Sequence, residues 1–578
     1  MKHIRTSAAI GAVLALSLGL TGCGSSAQET VTTKDNNELI TIDFFDSLAN
    51  KAGTMKGWFA KYIKDKFNIK INLISPIVSG GGDTLFDTRS AAGNVGDIII
   101  VPSQKMKKLL KAKLVSDMTP YMKDAKNLKR LSAASENVNK AIGAKSGVWG
   151  FPQQVAIGGN PTQSSQVVDP DNAPYIRWDY YREIGYPEIK NLDDYISVLK
   201  KMQDKARQDT GLNDIYAITL FKDWDDNLMR QGSDFAQMFG YQRQHNVFFK
   251  PEGGKVESPL DKDGIYQKML QFLFKANQAG IVDPESSSQN WDKLVQKVTE
   301  GKTLSMFDSY VNWTQNTPDN LKKGVGMFLA PLQNMSPFST GYRPTGDPGQ
   351  VIALGAKAKN KARAVKFIDW LYSSDFTWMN NAVPKDLAWK LNDKGQPTLT
   401  EFGERSAFSA NGLNMPESWG GGSYVDGNGA QTINFPAVNG NSIDPETKES
   451  FNVRVWKTQL AKPLDPTTQD WSNRMDGAKN TMQYLEKTGK STVAPGVSFS
   501  PAEAPSRLSV VMGQIDTKII SHSWKAVMAK NQAEYDKEID AMISEAEGLG
   551  YKDVLKFDTE QVTSWRKAMK QVADKYAK

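Results

Sequence analysis

Polar side chains follow each of three predicted strands near the start of the chain. In an open α/β sheet, ligands bind outside the carboxyl ends of the strands, so these residues are candidates for ligand contact. A local role is the alternative for each, because short polar side chains also cap helices and close turns. The candidates are Asp46 and Ser47 after residues 39–45, Ser79 and Asp83 after residues 69–74, and Ser103 after residues 97–101.

Aromatic side chains near carboxylates form a second group of candidates. The C–H faces of a sugar stack on aromatic rings, and its hydroxyls need paired donors and acceptors, because an unpaired buried polar group costs about 1–3 kcal/mol. Aromatic residues in polar contexts therefore indicate a sugar site, with core packing or loop anchoring as the alternative. The candidates are Trp224 and Asp225 after residues 214–221, Asp308, Tyr310 and Trp313 after residues 303–307, and Trp419 in a glycine-rich loop.

One segment also offers a metal-binding alternative, because four of its side chains share a calcium-loop spacing. They are Asp223, Asp225, Asn227 and Asp234, at positions 1, 3, 5 and 12 of that spacing. Leu228 replaces the turn glycine and an aspartate replaces the final bidentate glutamate, so we expect no metal here. No phosphate-loop lysine follows the glycine run at residues 80–82, so we also expect no nucleotide and no cofactor.

Histidine and cysteine are too few for most hydrolytic chemistry. Beyond residue 22 the chain holds two histidines, His245 and His522, and its single cysteine is Cys23. Two histidines are too few for a three-histidine zinc site, and a lipidated Cys23 could not serve as the nucleophile of a Cys–His pair. No G-x-S-x-G motif is present. A carboxylate pair roughly 5–10 Å apart would suffice for a glycoside hydrolase. The 64 acidic residues leave that alternative open, although we expect a binding protein and not an enzyme.

The amino terminus carries the pattern of an exported lipoprotein. Two basic residues precede a short apolar run at residues 8–20, and small residues lead from it to Cys23. The run is too short to span a bilayer of about 30 Å, so residues 1–22 are predicted to be a cleaved signal peptide. Cys23 would carry the two acyl chains that stable anchoring at the outer face of the plasma membrane requires, and residues 23–37 would form a flexible tether. An ordinary signal peptide with a chance cysteine is the alternative.

Charge and hydropathy exclude several other classes of protein. The 71 basic and 64 acidic residues are interspersed along the chain, so we expect no nucleic-acid partner. No stretch after residue 22 approaches 18 consecutive apolar residues, so no further membrane span is predicted. One cysteine excludes internal disulfides, and a chain of this length can bury cores large enough to fold without them.

Alternating strands and helices must position the candidate residues. A β-α-β-α-β order, the opening of a doubly wound sheet, is predicted for residues 39–45, 55–67, 69–74, 84–92 and 97–101. A second α/β region begins near residue 153, and residues 411–445 read as long loops. The C-terminal part is predicted to be helical over residues 472–488, 516–547 and 558–577.

Several segments in order along the chain carry a family resemblance. They are residues 97–102 (DIIIVP) with 114–121 (LVSDMTPY), 147–152 (GVWGFP), 175–195 (YIRWDYYREIGYPEIKNLDDY), 301–307 (GKTLSMF) and 364–372 (AVKFIDWLY). With them the chain resembles the extracellular solute-binding proteins of carbohydrate ABC importers, the maltose-binding-protein-like family, and its longer lipoprotein members above all. The departure is in length, because the regions after residue 375 are longer and richer in loops than in compact members.

The resemblance implies an α/β fold of the two-lobed, periplasmic-binding-protein-like type II class. Each lobe would be a doubly wound sheet flanked by helices, with helices added at the C-terminus. Lobe one would comprise residues 38–152 plus 305–357, and lobe two residues 153–304 plus 358–578. Ligand would bind in the cleft between the lobes, which would close over it by a hinge.

The same resemblance implies roles for individual residues and partners. Gln153 would sit at the first hinge, where a long amide could reach the cleft and hinge packing is the alternative. Trp313 is the strongest aromatic candidate, because the family places an aromatic side chain from this segment in the cleft. The expected partners of a monomeric protein are a carbohydrate, the importer's permease subunits, and the membrane through the lipid anchor. An exported glycoside hydrolase and a peptide receptor are the alternative functions.

Overall fold

A computed structural model describes residues 35, 37–78, 82–381 and 384–576 of the chain. The strands are β1 (Ile40–Asp46), β2 (Gly53–Thr54), β3 (Ile69–Ile74), β4 (Ile98–Val101), β5 (Val115–Ser116), β6 (Phe151–Gln153), β7 (Asn172–Arg177), β8 (Tyr216–Ile218), β9 (Gln242–Gln244), β10 (Val247–Lys250), β11 (Gly253–Glu257), β12 (Thr303–Asp308), β13 (Met327–Leu329), β14 (Phe338–Thr340), β15 (Asp347–Gly355), β16 (Trp389–Leu391), β17 (Pro397–Leu399) and β18 (Thr492–Ala494).

The helices outnumber the strands toward the C-terminus. They are α1 (Gly57–Phe67), α2 (Gly82–Ala91), α3 (Ser103–Lys111), α4 (Lys126–Lys129), α5 (Ser132–Ile142), α6 (Trp178–Glu183), α7 (Leu192–Thr210), α8 (Arg230–Gln237), α9 (Ile265–Gln278), α10 (Trp291–Thr299), α11 (Pro318–Lys322), α12 (Lys361–Leu371), α13 (Ser374–Asn380), α14 (Glu401–Phe408), α15 (Gly429–Thr432), α16 (Lys457–Leu460), α17 (Pro466–Arg474), α18 (Thr481–Thr488), α19 (Ser506–Val527), α20 (Gln532–Gly548) and α21 (Tyr551–Tyr576). Short 3₁₀ helices lie at Thr119–Tyr121, Ser309–Thr314, Glu417–Trp419 and Val453–Val455.

The first sheet confirms the predicted β-α-β-α-β opening. Its strand order is β2-β3-β1-β4-β15-β5, with β6 also paired to β15. Strand β1 lies parallel between β3 and β4. Successive strand residues point to opposite faces, so Phe44 and Ile100 pack toward α1 and α12, while Phe45 and Ile99 pack toward α2, α3 and α5. Helices thus cover both faces of this sheet.

The second sheet is mixed and has the strand order β13-β7-β12-β8. Strand β7 runs antiparallel to both β12 and β13, whereas β12 runs parallel to β8. Helix α7 begins where predicted, because the Asn191 side chain accepts hydrogen bonds from the backbone N–H groups of Asp193 and Asp194. Helices α7 and α9 bury their apolar faces with this sheet in a separate hydrophobic core.

Two segments lie in the lobe opposite to the one predicted. Residues 305–357 were expected wholly in lobe one, but β12 and β13 belong to the second sheet, because Ser305 pairs with both Ile176 and Ile218. Residues 358–578 were expected wholly in lobe two, but α12 packs on the first sheet. The ring centroids of Phe44 and Phe367 lie 6.4 Å apart. The open face of the first sheet is therefore covered by chain that follows its last long strand.

Each lobe is thus assembled from two stretches of chain. The first lobe contains residues 38–153 and 347–460, and the second contains residues 172–329 and 466–576. The chain crosses between the lobes in three segments that join these stretches. A parallel pair of β14 and β18 links two stretches of chain at the hinge.

The C-terminal region differs in detail from the sequence prediction. The predicted helix over 516–547 is two helices, α19 and α20, and the predicted helix over 472–488 is α17 and α18. A three-stranded antiparallel sheet of β9, β10 and β11 was not predicted, and α21 packs against it. Of the helices within the described ranges, none is both long enough and apolar enough to cross a membrane.

The end of the predicted tether is held on the first lobe. Residues 1–34, with the predicted signal peptide and Cys23, lie outside the described residues. The Arg363 Nε atom lies 2.9 Å from both carboxylate oxygens of Asp35, and the Arg363 side chain is only 1% exposed. Hydrogen bonding to Arg363 lowers the pKa of Asp35 to about 2. Asp35, which falls within the tether predicted for residues 23–37, is thus bound to the first lobe.

A buried charged cluster fastens the C-terminal helices to the second lobe. His245, in the turn between β9 and β10, lies between Asp516 of α19 and Asp558 of α21, with Nδ1 2.8 Å from Asp558. Burial alone would lower the pKa of His245, but hydrogen bonds to both carboxylates and their charges outweigh it and raise the pKa to about 9. The charged imidazolium thus bridges three elements distant in sequence.

We expect this cluster to stabilise the protein in a pH-dependent way. The folded-state pKa of about 9 lies above the ordinary value of 6.5, so the stabilisation is complete below pH 6.5 and is lost as pH rises through 9. At pH 6, H245Q should lower the free energy of unfolding by about 2–4 kcal/mol, because two buried carboxylates lose their cation. Chemical denaturation of both proteins from pH 6 to 10 should show the difference shrinking from pH 6.5 upward and nearly gone above pH 9. An equal difference at both ends of that range would contradict this account.

Candidate functional site

Two connected cavities lie between the lobes. The hinge cavity, of about 390 Å³, is lined by Gln153, Gln154, Ser165, Gln166, Asp171, Thr340, Gly341, Arg343, Asp347, Asn439, Gly440 and Asn441. The central cavity, of about 530 Å³, shares Gln166, Asp171 and Asn441 with it and extends to Tyr310 and Trp313 on the second lobe and to residues 406–411 and Arg454 on the first. Together they form a continuous cleft of the size that small ligands occupy.

Side-chain amides dominate the hinge cavity. Gln153 and Gln154 come from the end of β6, Gln166 from the first crossing segment, and Asn439 and Asn441 from the loop after α15. Each amide offers two donors and an acceptor with two lone pairs, which suits a ligand rich in hydroxyl groups. The Gln166 Oε1 atom is buried and has no hydrogen-bond partner among the described residues. A residue that lines this cavity therefore carries a buried acceptor without a protein donor.

Trp313 is the most exposed of the candidate aromatic residues. The 3₁₀ helix Ser309–Thr314 follows β12 directly and projects Tyr310 and Trp313 into the central cavity. The Trp313 residue is 59% exposed, although a large apolar side chain gains free energy by burial. Its ring is thus an open stacking surface facing a polar cleft.

A network of hydrogen bonds holds Tyr310 beside Trp313. The Tyr310 hydroxyl donates to Asp308 over 2.8 Å and accepts from Arg230 Nη2 over 2.8 Å. Asn172 donates a second hydrogen bond to Asp308 over 3.0 Å. Burial raises the pKa of Tyr310, and the neighbouring carboxylate raises it further, so the phenol stays neutral. These contacts fix the ring at the wall of the cleft.

Two cleft arginines have their charges compensated by the protein. Arg343 Nη1 lies 2.6 Å from Asp347, and Arg230 Nε lies 2.9 Å from Asp234. Burial raises the pKa of Asp308, whose oxygen is 3.9 Å from Arg230. These guanidinium groups therefore position the wall and do not offer a free positive charge to a ligand.

The segment after β8 contributes an aromatic surface next to Tyr310. The Trp224 ring stacks on Trp291 with centroids 4.5 Å apart, and its centroid lies 6.5 Å from that of Tyr310. The guanidinium carbon of Arg230 lies 5.0 Å from the Trp224 ring centroid. Trp224, Asp308 and Tyr310 are thus brought together as one wall of the second lobe.

The carboxylates of that segment point to protein donors and not to one another. Asp225 accepts hydrogen bonds from the Arg230 backbone N–H and from Trp524 Nε1, and Asp223 accepts one from the Trp291 backbone N–H. The described residues hold no group of three or more acidic, histidine or cysteine side chains arranged to bind a metal ion. Asp225 therefore has a structural role beside the aromatic wall.

The strand-end candidates of the first lobe lie outside both cavities. Asp46 is fully buried and accepts a hydrogen bond from the Leu48 backbone N–H, which is the turn role given as its alternative. Burial raises the pKa of Asp46 to about 8. Ser47 Oγ donates to Gln350 over 3.1 Å, Ser103 begins α3, and Asp83 pairs with Lys105 at the surface. Ser79 lies outside the described residues.

Trp419 is held on the outer side of the first lobe. Its ring stacks on Tyr62 with centroids 6.0 Å apart, and it lies 6.2 Å from Trp58. Both partners belong to α1, so the tryptophan anchors the long loop to that helix, which was its alternative interpretation. A larger cavity, of about 970 Å³, also lies away from the cleft, near α9 and α20, and no candidate residue lines it.

Sequence reasoning missed most of the polar residues that the first lobe contributes to the cleft. Asn439 and Asn441 fall in the region read as long loops, while Asn452 and Arg454 fall just beyond it. A high density of asparagine and glycine between two apolar segments was the available signal. It indicated loops but not which loop would reach the hinge.

Comparison with known proteins confirms the family resemblance. Residues 49–377, more than half of the chain, match the family described as bacterial extracellular solute-binding protein. Lipoprotein LipO of Bacillus subtilis (strain 168) is 25% identical over 341 residues, 57% of this chain. That match spans 63% of LipO, less than two thirds of its length.

Solved structures with low sequence identity share the fold along almost the whole chain. The S. pneumoniae ABC-transporter substrate binding protein FusA, in complex with kestose, superposes with a TM-score of 0.60 at 14% identity, covering 93% of this chain and 100% of FusA. An extracellular solute-binding protein from Bifidobacterium longum subsp. infantis superposes with a TM-score of 0.56 at 13% identity, covering 92% of this chain and 98% of that one. The two-lobed α/β clamp expected from the sequence is confirmed, and the chain belongs to the bacterial extracellular solute-binding proteins.

Proposed function

We propose that this protein is a lipid-anchored receptor that captures an oligosaccharide in the interlobe cleft and delivers it to an ABC importer. The observation that carries the proposal is the pairing of an exposed Trp313 ring with an amide-rich hinge cavity inside one cleft. Stacking surface and hydroxyl-matching groups are the two kinds of contact that a sugar requires. The importer's permease subunits would be the protein partners, and the receptor would act as a monomer without altering its cargo.

Ligand would act by favouring a closed arrangement of the lobes. Tyr310 and Trp313 belong to the second lobe, whereas residues 406–411 and Asn452 belong to the first. A ligand that touches both walls stabilises the arrangement in which both contacts exist, and it shifts the population by its differential affinity alone. The crossing segments at the hinge would absorb the change in backbone angles.

Anchoring would occur through Cys23, with the body attached at the first lobe. The ion pair of Asp35 with Arg363 supports a point of attachment at the start of β1, the end of that strand opposite to the cleft. The carboxyl end of β1 faces the second lobe, so the tether would leave the cleft unobstructed. The first lobe would then stay near the membrane while the second lobe moves.

The proposal is tested by a ligand screen on residues 35–576. We expect at least one neutral or acidic oligosaccharide to raise the melting temperature, because ligand at 100 times its Kd adds about 2.7 kcal/mol of stability. Peptides of similar mass should have no effect, and mass spectrometry after incubation should recover the saccharide unchanged. Stabilisation by peptides alone would replace the proposal with a peptide receptor, and a shortened saccharide would replace it with a glycoside hydrolase.

Removing the exposed indole should weaken binding without unfolding the protein. We expect W313A to raise the Kd for the bound saccharide by about 10-fold or more, because truncating a tryptophan at a binding hot spot costs about 2 kcal/mol. W419A is the matched control, since that ring packs on α1 outside the cleft. It should lower the melting temperature and leave the Kd unchanged in isothermal titration calorimetry. Equal effects of the two variants on the Kd would contradict a role of Trp313 in the cleft.

The proposed lipid anchor on Cys23 can be tested separately, in cells. C23S should move the protein from the membrane fraction to the medium or periplasm, because the lipidated thiol is lost. The variant should also fail to incorporate a radiolabelled fatty acid, while the purified protein keeps its saccharide affinity. Retention of C23S in the membrane fraction would show that another feature anchors the chain.

A further inference from the structure

The central cavity opens past Arg454 into a third cavity of about 650 Å³, here called the side cavity. It lies between α14 and α16 of the first lobe and α11, α17 and α18 of the second lobe. Asp169, Phe408 and Arg454 line both the central and the side cavity. A ligand bound at Trp313 could therefore extend into the side cavity without leaving the cleft.

Arg454 stands at the junction with its guanidinium group uncompensated. It makes no ion pair with any carboxylate of the described ranges, and its guanidinium donates only to the Ala407 carbonyl oxygen, over 3.4 Å. The guanidinium carbon lies 4.7 Å from the Phe408 ring centroid, so the group is held flat over an aromatic face. Arg230 and Arg343, by contrast, each have a carboxylate within 3 Å.

The charges around Arg454 leave a surplus of positive charge. Five basic and three acidic side chains line the side cavity. Of the three carboxylates, Glu404 pairs with Lys462, Asp465 caps α17, and Asp169 lies beyond ion-pair distance of Arg454. Burial raises the pKa of Asp169, which disfavours its charged form. The protein itself therefore supplies no tight counter-ion to this guanidinium.

A guanidinium that lines a cavity without a carboxylate partner can pair with an anionic group brought by a ligand. Loss of hydration lowers the pKa of Arg454, yet arginine stays protonated in proteins, so the positive charge persists. The planar fork of an arginine matches the two oxygens of a carboxylate or sulfate group. Its placement beside the sugar-sized cleft makes an anionic ligand group the fitting counter-ion.

We infer that Arg454 recognises an anionic group on the captured oligosaccharide, a carboxylate or a sulfate, with the sugar residue that bears it in the side cavity. This inference rests on the proposed function and makes it more specific. The hinge and central cavities would bind the hydroxyl groups of the sugar, and the side cavity would bind its anionic group. Arg454 is thus the residue that separates acidic from neutral oligosaccharides.

The test compares matched ligands that differ only in charge. Residues 35–576 are titrated with a panel of uronate oligosaccharides, their methyl-esterified neutral forms, and sulfated oligosaccharides of the same length. We expect an acidic member to bind at least about 10-fold more tightly than its neutral counterpart, since a charge-assisted bidentate pair is worth more than 1.4 kcal/mol. The uronate and sulfate arms show which anion is preferred.

Variants then assign the preference to Arg454. R454Q should abolish the difference between acidic and neutral forms by lowering the affinity for the acidic form more than that for the neutral form, and R454K should restore part of the difference. R343Q is the matched control, because the charge of Arg343 is already compensated by Asp347. It should change the two affinities by the same factor. Added NaCl should weaken acidic binding more in the wild type and R454K than in R454Q.

The outcomes separate this inference from the proposed function. The role of Arg454 is overturned if neutral saccharides bind more tightly than acidic ones, or if R454Q still prefers the acidic forms. Either result leaves the receptor function intact. Absence of binding to any saccharide in the panel and in the wider screen overturns both. Melting temperatures of R454Q and R454K are measured without ligand, so that R454K reports on charge if R454Q is unstable.

Discussion

Strand β15 inserts into the first sheet after the chain has built the second, and this pairing brings the two lobes together. The chain leaves the first lobe after β6 and builds the second sheet, then returns so that β15 can run antiparallel between β4 and β5. Because β15 also pairs with β6, the outgoing and returning segments lie side by side at the hinge. The cleft, the hinge cavity and the amides that line it follow from that one pairing.

Two independent cores make this arrangement a clamp and not a single body. Each sheet buries its own apolar faces with its own helices, so the lobes meet mainly through polar surfaces and crossing segments. A polar interface can open to water at low cost, whereas an apolar one cannot. The long C-terminal part keeps this separation, because α12 to α16 complete the first lobe and α17 to α21 enlarge the second.

The cleft is organised by where the protein neutralises its own charges. Arg230 and Arg343 are each paired with a carboxylate and hold their walls in place. Arg454 is more exposed and lacks such a partner among the described residues, and it lines a cavity with surplus positive charge. The same residue type therefore has two roles, one structural and one directed to a ligand, and the presence of a carboxylate partner distinguishes them.

Local sequence patterns predicted the individual strands and helices and the family, whereas long-range packing set which lobe each element joined and which polar residues came together. Period-2 and period-3.6 apolar patterns predicted β1, α1, β3 and β4, because those patterns express burial on one face of one element. The family-like segments, which follow one another in the family's order along the chain, predicted the two-lobed fold. They also pointed to Trp313, which lies in the cleft. The lobe assignments of β12 and α12 were wrong, because an apolar strand or helix face fits either sheet and only long-range packing selects one. Arg454 and Asn441 were missed for the same reason: their function depends on neighbours hundreds of residues away, and no local pattern records that proximity.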